Sequence, residues 1–509
     1  MSFEALSDHR LEMWGGVEPT VSRVGDEWKD QLVLNGHHDR IDDLDLFHGL
    51  GLRTLRYPLL WERMETAPGQ WDFDWADQRM ARLRELGIDP IVGLIHHGSG
   101  PAWTSLVSDD FAQGLAAHAA RVAERYPWAG DWTPVNEPLT TARFAALYGV
   151  WYPHARDEGL CWLALLNQID ATRLAMKAIR RVNPHARLIQ TDDFGHTYAT
   201  EPCRAQARFE NRRRLLTWDL LTGRLDRGHP LYERIARYGY AGRLDAIAAD
   251  PCPPDVIGMN YYATSDRLLD HRLERYPEAF HGGNGEIAYA DVEAVRVLSP
   301  TPISWSRRLN TLWKRYRIPL AITECHIGCT REEQLRWLLE CWRSAQRQKA
   351  RGVDIRAVTV WSLLGAHGWN RLLAGPGQKY ETGVYDVSSG HPRPTALARL
   401  VKDLATTGDT TLPLAQGTGW WRRSDRVHYP FGDETRDFRT PRLAPAGIVV
   451  PQDHPLAPSL AEHCRIRGLQ LVGEPRSFES GAWLRFEPPE ADNDIGEALD
   501  QLIDRSLAH

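Results

Sequence analysis

Eight short apolar runs, each followed by an amphipathic helical stretch, constrain this chain more than any other feature of its sequence. The runs fall at 12–18, 52–60, 89–96, 131–136, 186–191, 254–262, 319–325 and 357–364, and each is bounded by Gly, Pro or charge. A continuous short apolar run suits a strand buried on both faces, the situation of a parallel sheet covered by helices. Between the runs the period changes. In 73–86, Trp75, Met80, Leu83 and Leu86 recur near helical spacing. The stretch 109–126 opens on Asp109 and Asp110 and stops before Pro127, and 330–350 opens with Thr330 and Glu333 in a capping-box pattern. Eight strands alternating with helices predict an α/β fold, a (β/α)8 TIM barrel over residues 1–412. The competing doubly wound sheet wants a glycine-rich phosphate loop after its first strand. Gly15-Gly16-Val17-Glu18 does not have that spacing.

Beyond 412 the pattern is lost. Residues 413–445 carry Gly, Arg, Asp and Pro without periodicity and read as a linker. Residues 446–509 read as a small α/β appendage that packs on the barrel. A strand is expected from Gly447 to Val450 and a helix from Leu456 to Gly468. A second strand follows from Leu469 to Val472, and a last helix from Ile495 to Leu507. Roughly sixty residues is small for an independent fold.

Composition narrows the partners. The chain of 509 residues has 61 Lys and Arg against 67 Asp and Glu, a net charge of −6. A nucleic-acid surface needs a basic excess, so none is expected. No run of about 18 apolar residues offers a membrane span. Met1 to Arg10 is polar and lacks the apolar stretch of a secretory signal. Seven dispersed cysteines without such a signal read as reduced thiols of a cytoplasmic protein. Cys325 and Cys329 have no second close Cys or His pair, so no metal is expected, and no cofactor either. The 20 Trp are the unusual number. Indole faces pack cores and also stack on sugar rings, so they point weakly to carbohydrate. Oligomeric state is not written in the sequence.

In barrel enzymes the reacting groups stand at the C-terminal ends of strands. The fourth run ends Thr133-Pro134-Val135-Asn136-Glu137-Pro138 and the seventh ends Ala321-Ile322-Thr323-Glu324-Cys325. Either glutamate alone could simply tie down a loop. Together, on strands facing each other across a barrel, they form the pair a retaining glycosidase needs. One carboxyl protonates the leaving oxygen and the other attacks the anomeric carbon, the two carboxyls standing about 5–5.5 Å apart. Glu137 and Glu324 are the candidates for these two roles.

Six segments in order carry a resemblance to glycoside hydrolase family 1. Asn136-Glu137-Pro138 resembles its acid/base motif, and Ile322-Thr323-Glu324 its nucleophile motif. Arg56-Tyr57, with Pro68-Gly69 and Trp71 to Trp75 following, is similar to its second strand and loop. Leu94-Ile95-His96 is similar to its sugar-binding histidine strand, Gly258-Met259-Asn260-Tyr261-Tyr262 to its sixth strand, and Trp361-Ser362-Leu363-Leu364 to its eighth. The match runs over about residues 12–405. It implies a β-glycosidase acting on a small-molecule glycoside or oligosaccharide. It implies that Arg56 and Tyr262 hold Glu324 ionised and that Asn136 bonds the sugar 2-hydroxyl. Glu18, His96 (or its neighbour His97), Asn260, Trp361 and Trp369 would bind substrate.

Two positions depart from the family. Its usual Gln after the first strand is Glu18 here. Its Asp-Asn-Phe-Glu-Trp after the eighth strand is Gly365-Ala366-His367-Gly368-Trp369, which removes an acid that clamps distal hydroxyls. The glycone therefore need not be plain glucose or galactose; a deoxysugar, a substituted sugar or a larger oligosaccharide is open. The segments Trp14 to Glu18 and Asp30-Gln31 resemble a bacterial subgroup fused to a dTDP-4-dehydrorhamnose reductase-like domain. Ala446 to Val450 resembles that domain's first strand. Its phosphate turn is replaced by Pro451-Gln452-Asp453-His454-Pro455, where Asp453 repels phosphate and Pro455 lacks a donor. The tail reads as a truncated Rossmann-like remnant, not a nucleotide site. Besides hydrolysis, the same carboxylates could serve a transglycosylase or glycosyltransferase. A non-catalytic sugar-binding pseudoenzyme and a nicotinamide-dependent reductase are the remaining alternatives.

Overall fold

The computed structural model describes residues 10–429, 445–449, 457–466, 470–472 and 482–485. Eight parallel strands close into a barrel: β1 (Glu12–Gly16), β2 (Thr54–Pro58), β3 (Asp89–His96), β4 (Asp131–Asn136), β5 (Arg187–Asp193), β6 (Val256–Asn260), β7 (Leu320–Cys325) and β8 (Ile355–Val360). Each pairs with its sequence neighbours, and β8 closes on β1. The fold is thus the (β/α)8 barrel expected from the eight runs. The largest difference in bounds is at β8, which ends before Trp361. There the chain leaves the ladder: the N–H of Trp361 donates to Cys325 O (3.2 Å) and that of Leu363 to Gly16 O (2.8 Å).

The strands are apolar because both their faces are covered. Val135, Ile257, Ile322 and Val358 are wholly buried, each worth about 1.5–3 kcal/mol relative to exposure. One layer of the barrel core joins Trp14, Ile91, Ile189, Val256, Ala321 and Ala357, from six strands. The helix Phe111–Arg125 buries Phe111, Leu115, His118, Ala119 and Val122, one stripe at helical period. Helices Asp74–Glu85 and Arg331–Ala350 fall where the sequence placed them. Thr330 is the N-cap of the latter, but its hydroxyl makes no capping bond. Glu333 is buried and pairs with Arg336 (2.9 Å), one turn on.

The chain groups into two compact units, 1–194, 213–261 and 309–415 in one and 195–212, 262–308 and 416–509 in the other. The grouping is discontinuous in sequence. The first unit holds the barrel. The second holds a four-stranded sheet of Thr197–Ala199, Arg267–Asp270, Ala288–Glu293 and His281–Gly283 that no periodicity announced. Residues 413–429 form short 3-10 turns, with Trp421 fully buried. Further on, Pro445–Val449 pairs in parallel with both Gln470–Val472 and Ala482–Arg485, and the helix Ala457–Ile466 connects the first two. The 451–455 turn and the Ile495 to Leu507 helix lie outside the described residues. Among the described residues no helix is long and apolar enough to cross a membrane.

Candidate active site

Strand ends aim the acids. Asn136 is the last residue of β4, and Glu137 follows in the left-handed region (φ 47°, ψ 61°) with Pro138 opening the next helix. A non-glycine residue in that region is costly and survives where its surroundings hold it, commonly at functional sites. On β7 the ladder slips against β6 between Met259 and Asn260, and against β8 between Ile322 and Cys325. The slip sets Asn260 opposite Glu324. Such bulges re-aim side chains.

Glu324 is 3% exposed and gripped by Arg56 from β2. Nη1 of Arg56 donates to Glu324 Oε1 (2.8 Å) and to the Thr323 carbonyl (2.9 Å), while Nη2 donates to Asn136 Oδ1 (2.6 Å). One planar guanidinium thereby fixes a β7 carboxylate and a β4 amide together. Thr191 Oγ1 from β5 donates to the same Asn136 oxygen (2.7 Å), so the amide nitrogen is turned toward His96 (3.2 Å) and His97 (3.4 Å).

Glu137 has different company. Asn260 Nδ2 donates to its Oε1 (2.6 Å), and Thr323 Oγ1 orients that amide by donating to Asn260 Oδ1 (2.6 Å). His97 Nε2 stands 3.8 Å from the other oxygen. Burial and then the charges of Glu324, Asp192 and Asp193 hold the Glu137 proton well above the usual carboxylate range; the Asn260 bond opposes them. Burial is the largest of these causes, and the Glu324 charge comes next. Asp192 accepts from the Leu139 N–H (3.0 Å) and from the hydroxyls of Thr140 (3.0 Å) and Thr217 (2.5 Å). Asp193 pairs with Arg214 (2.9 Å).

The floor between these acids is aromatic. Trp361 and His96 stack at 5.4 Å and 8°, and Arg56 lies over the indole at 4.7 Å. Gly16 on β1 is what lets Trp361 approach; a Cβ there would collide with the ring. Trp361 Nε1 donates to Glu18 Oε2 (3.2 Å). A cavity of about 20 Å³, bounded in part by Arg56, His96, Asn136 and Trp361, has room for about one water. Further out, His97 meets Trp151 and Trp369, each at 5.3 Å.

Glu18, Arg56, His96, Asn136, Glu137, Asn260, Glu324, Trp361 and Trp369 thus converge through direct contacts. The choice between His96 and His97 dissolves, since both rings enter the cluster. Tyr262 belongs to the second unit, where its backbone N–H donates to Ser265 Oγ (3.0 Å). Gly368 occupies a left-handed turn (φ 81°) with its N–H on Lys379 O (2.8 Å), and a Cβ would press on Gln378. Sequence reasoning missed Thr191, Thr323, Trp151 and Asp192. Asp192 had a usable signal, since Asp192-Asp193 close β5 as an acidic pair at a strand's C-terminal end.

No protein-family model matches the chain. The phospho-cellobiase of Klebsiella oxytoca is 25% identical over 352 residues, 64% of this chain and 73% of its own. The bifunctional β-D-glucosidase/β-D-fucosidase of Bifidobacterium breve is 25% identical over 385 residues, covering 65% and 80%. Among solved structures, the family 1 β-glucosidase from Thermotoga maritima superposes with a TM-score of 0.61 at 18% identity, over 79% of this chain and 98% of that one. The same enzyme in complex with deoxynojirimycin gives the same score. The fold is that of these enzymes, and the curated relatives are glycoside hydrolases.

Proposed function

We propose that the chain is a retaining β-glycosidase of glycoside hydrolase family 1, with Glu324 as nucleophile and Glu137 as general acid/base. The observation that carries this reading is the opposed setting of two buried glutamates. One is paired with the guanidinium of Arg56, and burial with neighbouring carboxylates raises the proton affinity of the other. Two carboxyls driven into different protonation states in one site supply the nucleophile and the acid of a double displacement.

In the first step a Glu324 oxygen bonds the anomeric carbon as the bond to the leaving oxygen breaks. Glu137 gives that oxygen its proton. In the second step water attacks the glycosyl-enzyme, Glu137 takes the water's proton, and the Glu324 carboxylate is released. Asn136, its oxygen fixed by Arg56 and Thr191, keeps its N–H groups for a sugar hydroxyl, a contact that strengthens in the transition state. The Trp361–His96 pair receives the apolar face of the ring. Trp369 is assigned to the outer glycone site.

The relatives' activities support a β-glycoside as substrate. The parallel pairing of Pro445–Val449 with Gln470–Val472, with the helix Ala457–Ile466 in between, supports a Rossmann-like arrangement for the tail. The test is covalent trapping. A 2-deoxy-2-fluoro-β-glycoside with a dinitrophenolate leaving group is expected to inactivate the enzyme and to add one glycosyl mass to the peptide holding Glu324. Labelling elsewhere, or turnover that survives Glu324→Gln, overturns the reading.

A further inference from the structure

Glu18 is a buried carboxyl whose two oxygens accept only from neutral donors. It follows β1, is 2% exposed, and has its partners fully accounted for. Oε1 accepts from the Thr20 N–H (3.0 Å) and the Thr20 hydroxyl (2.5 Å), and Oε2 accepts from Trp361 Nε1 (3.2 Å). None of these donors is a cation. Among the described residues no Lys or Arg nitrogen lies within ion-pairing distance of it. Arg56, the guanidinium of this cluster, is committed to Glu324, Thr323 and Asn136. His96 Nε2 lies 4.0 Å from both Glu18 Oε1 and Glu324 Oε1, but burial holds that ring neutral. An uncompensated buried carboxylate costs several kcal/mol. Such a group is useful where a ligand brings the missing charge.

Across the floor the opposite has happened. Position 368 is a glycine in a left-handed turn with Gln378 against it, so no acid can reach the glycone from there. Position 368 thus offers no acceptor side chain, while a carboxyl, Glu18, follows β1.

Building on the proposed glycosidase reading, we propose that the glycone is an amino sugar whose ammonium group pairs with Glu18. The substrate is then a β-glycoside of an aminodeoxy sugar protonated near neutral pH. Burial and the charge of Glu324 lift the Glu18 proton to about 7, so an arriving ammonium readily draws out the ionised form.

The experiment is calorimetric titration of the full chain at pH 7. The ligands are methyl β-glycosides of matched configuration, carrying a hydroxyl, an amino or an acetamido group at each ring position in turn. At least one amino glycoside is expected to bind tenfold or more tightly than its hydroxyl parent. The acetamido form, which has no charge, is expected to lose that gain, and Glu18→Gln to erase it. Comparing ligands within one protein cancels any general loss of fold, and the acetamido control needs no variant. If no amino glycoside exceeds its parent, or if the gain survives acetylation or Glu18→Gln, the inference falls. Binding does not depend on turnover, so failure of the covalent trap sinks the glycosidase reading separately.

Discussion

The β7 side of the site and the β4 side each present one glutamate, each at a strand end and each almost wholly buried, yet they are built to opposite purposes. Glu324 faces a guanidinium. Glu137 faces an amide donor, a neutral histidine and three further carboxylates. The residue type is the same, and the neighbours decide which form it takes. On the proposed reading the carboxylate beside the committed Arg is the nucleophile, and the one among like charges is the acid.

The comparison breaks first at the acids themselves. Glu324→Gln is expected to lower kcat at least about 10⁴-fold on every glycoside, because no leaving group replaces a missing nucleophile. Glu137→Gln should cost about 10²–10⁴-fold with a poor leaving group and far less with dinitrophenolate, which needs no proton. Equal losses for both substrates in Glu137→Gln would mean the two sides are not divided as argued. Next comes the link between them. Arg56→Lys keeps the charge but loses the fork that holds Glu324 and Asn136 together. A fall in kcat of about 10²-fold is expected, with KM changing less.

Much of this site was legible in the sequence because a barrel converts strand ends into one surface. Asn136-Glu137 and Ile322-Thr323-Glu324 stand at the ends of apolar runs, Arg56 lies within one and Trp361 just past the last strand, and parallel closure brings these positions together whatever lies between. What was not legible depends on register. Asn260 reaches Glu137 while Glu324 turns to Arg56 because β7 slips against both neighbours, and no residue in Ala321-Ile322-Thr323 marks a bulge. His97 was undecidable against His96 for a similar reason. Its left-handed backbone (φ 56°) lets two successive residues send their rings into one cluster, where ordinary strand alternation sends one away. The sheet 195–308 was invisible because its strands are short, and Gly282-Gly283 and Asp291 hold no apolar alternation. The Thr330 cap failed because its partner, Glu333, has an arginine one turn on.

A smaller effect separates Glu18 from the catalytic pair. Its folded value near 7 exceeds the ordinary 4.5, so the unfolded chain releases this proton more readily. Stability is therefore lost as pH climbs between those values and levels off above them. Glu18→Gln removes that slope. Relative to the parent, the variant should gain about 2 kcal/mol in unfolding free energy between pH 5 and pH 8. Chemical denaturation at the two pH values checks this, and parallel curves would mean that Glu18 is not a desolvated carboxyl.

The finest test tunes the acid without touching the nucleophile. Asp192 contributes to holding the Glu137 proton, and Asn260 works against it. Asp192 is itself lifted to about 6. Glu137 must be protonated to act, so activity is lost as pH rises through its pKa. Asp192→Asn removes a repelling charge, favours the ionised form, and should move the alkaline limb of kcat/KM about half a unit down. Asn260→Ala removes a donor to the anion and should move the same limb up. Limbs moving in the same direction, or not at all, would show that Glu137 is not the group whose proton the alkaline limb reports.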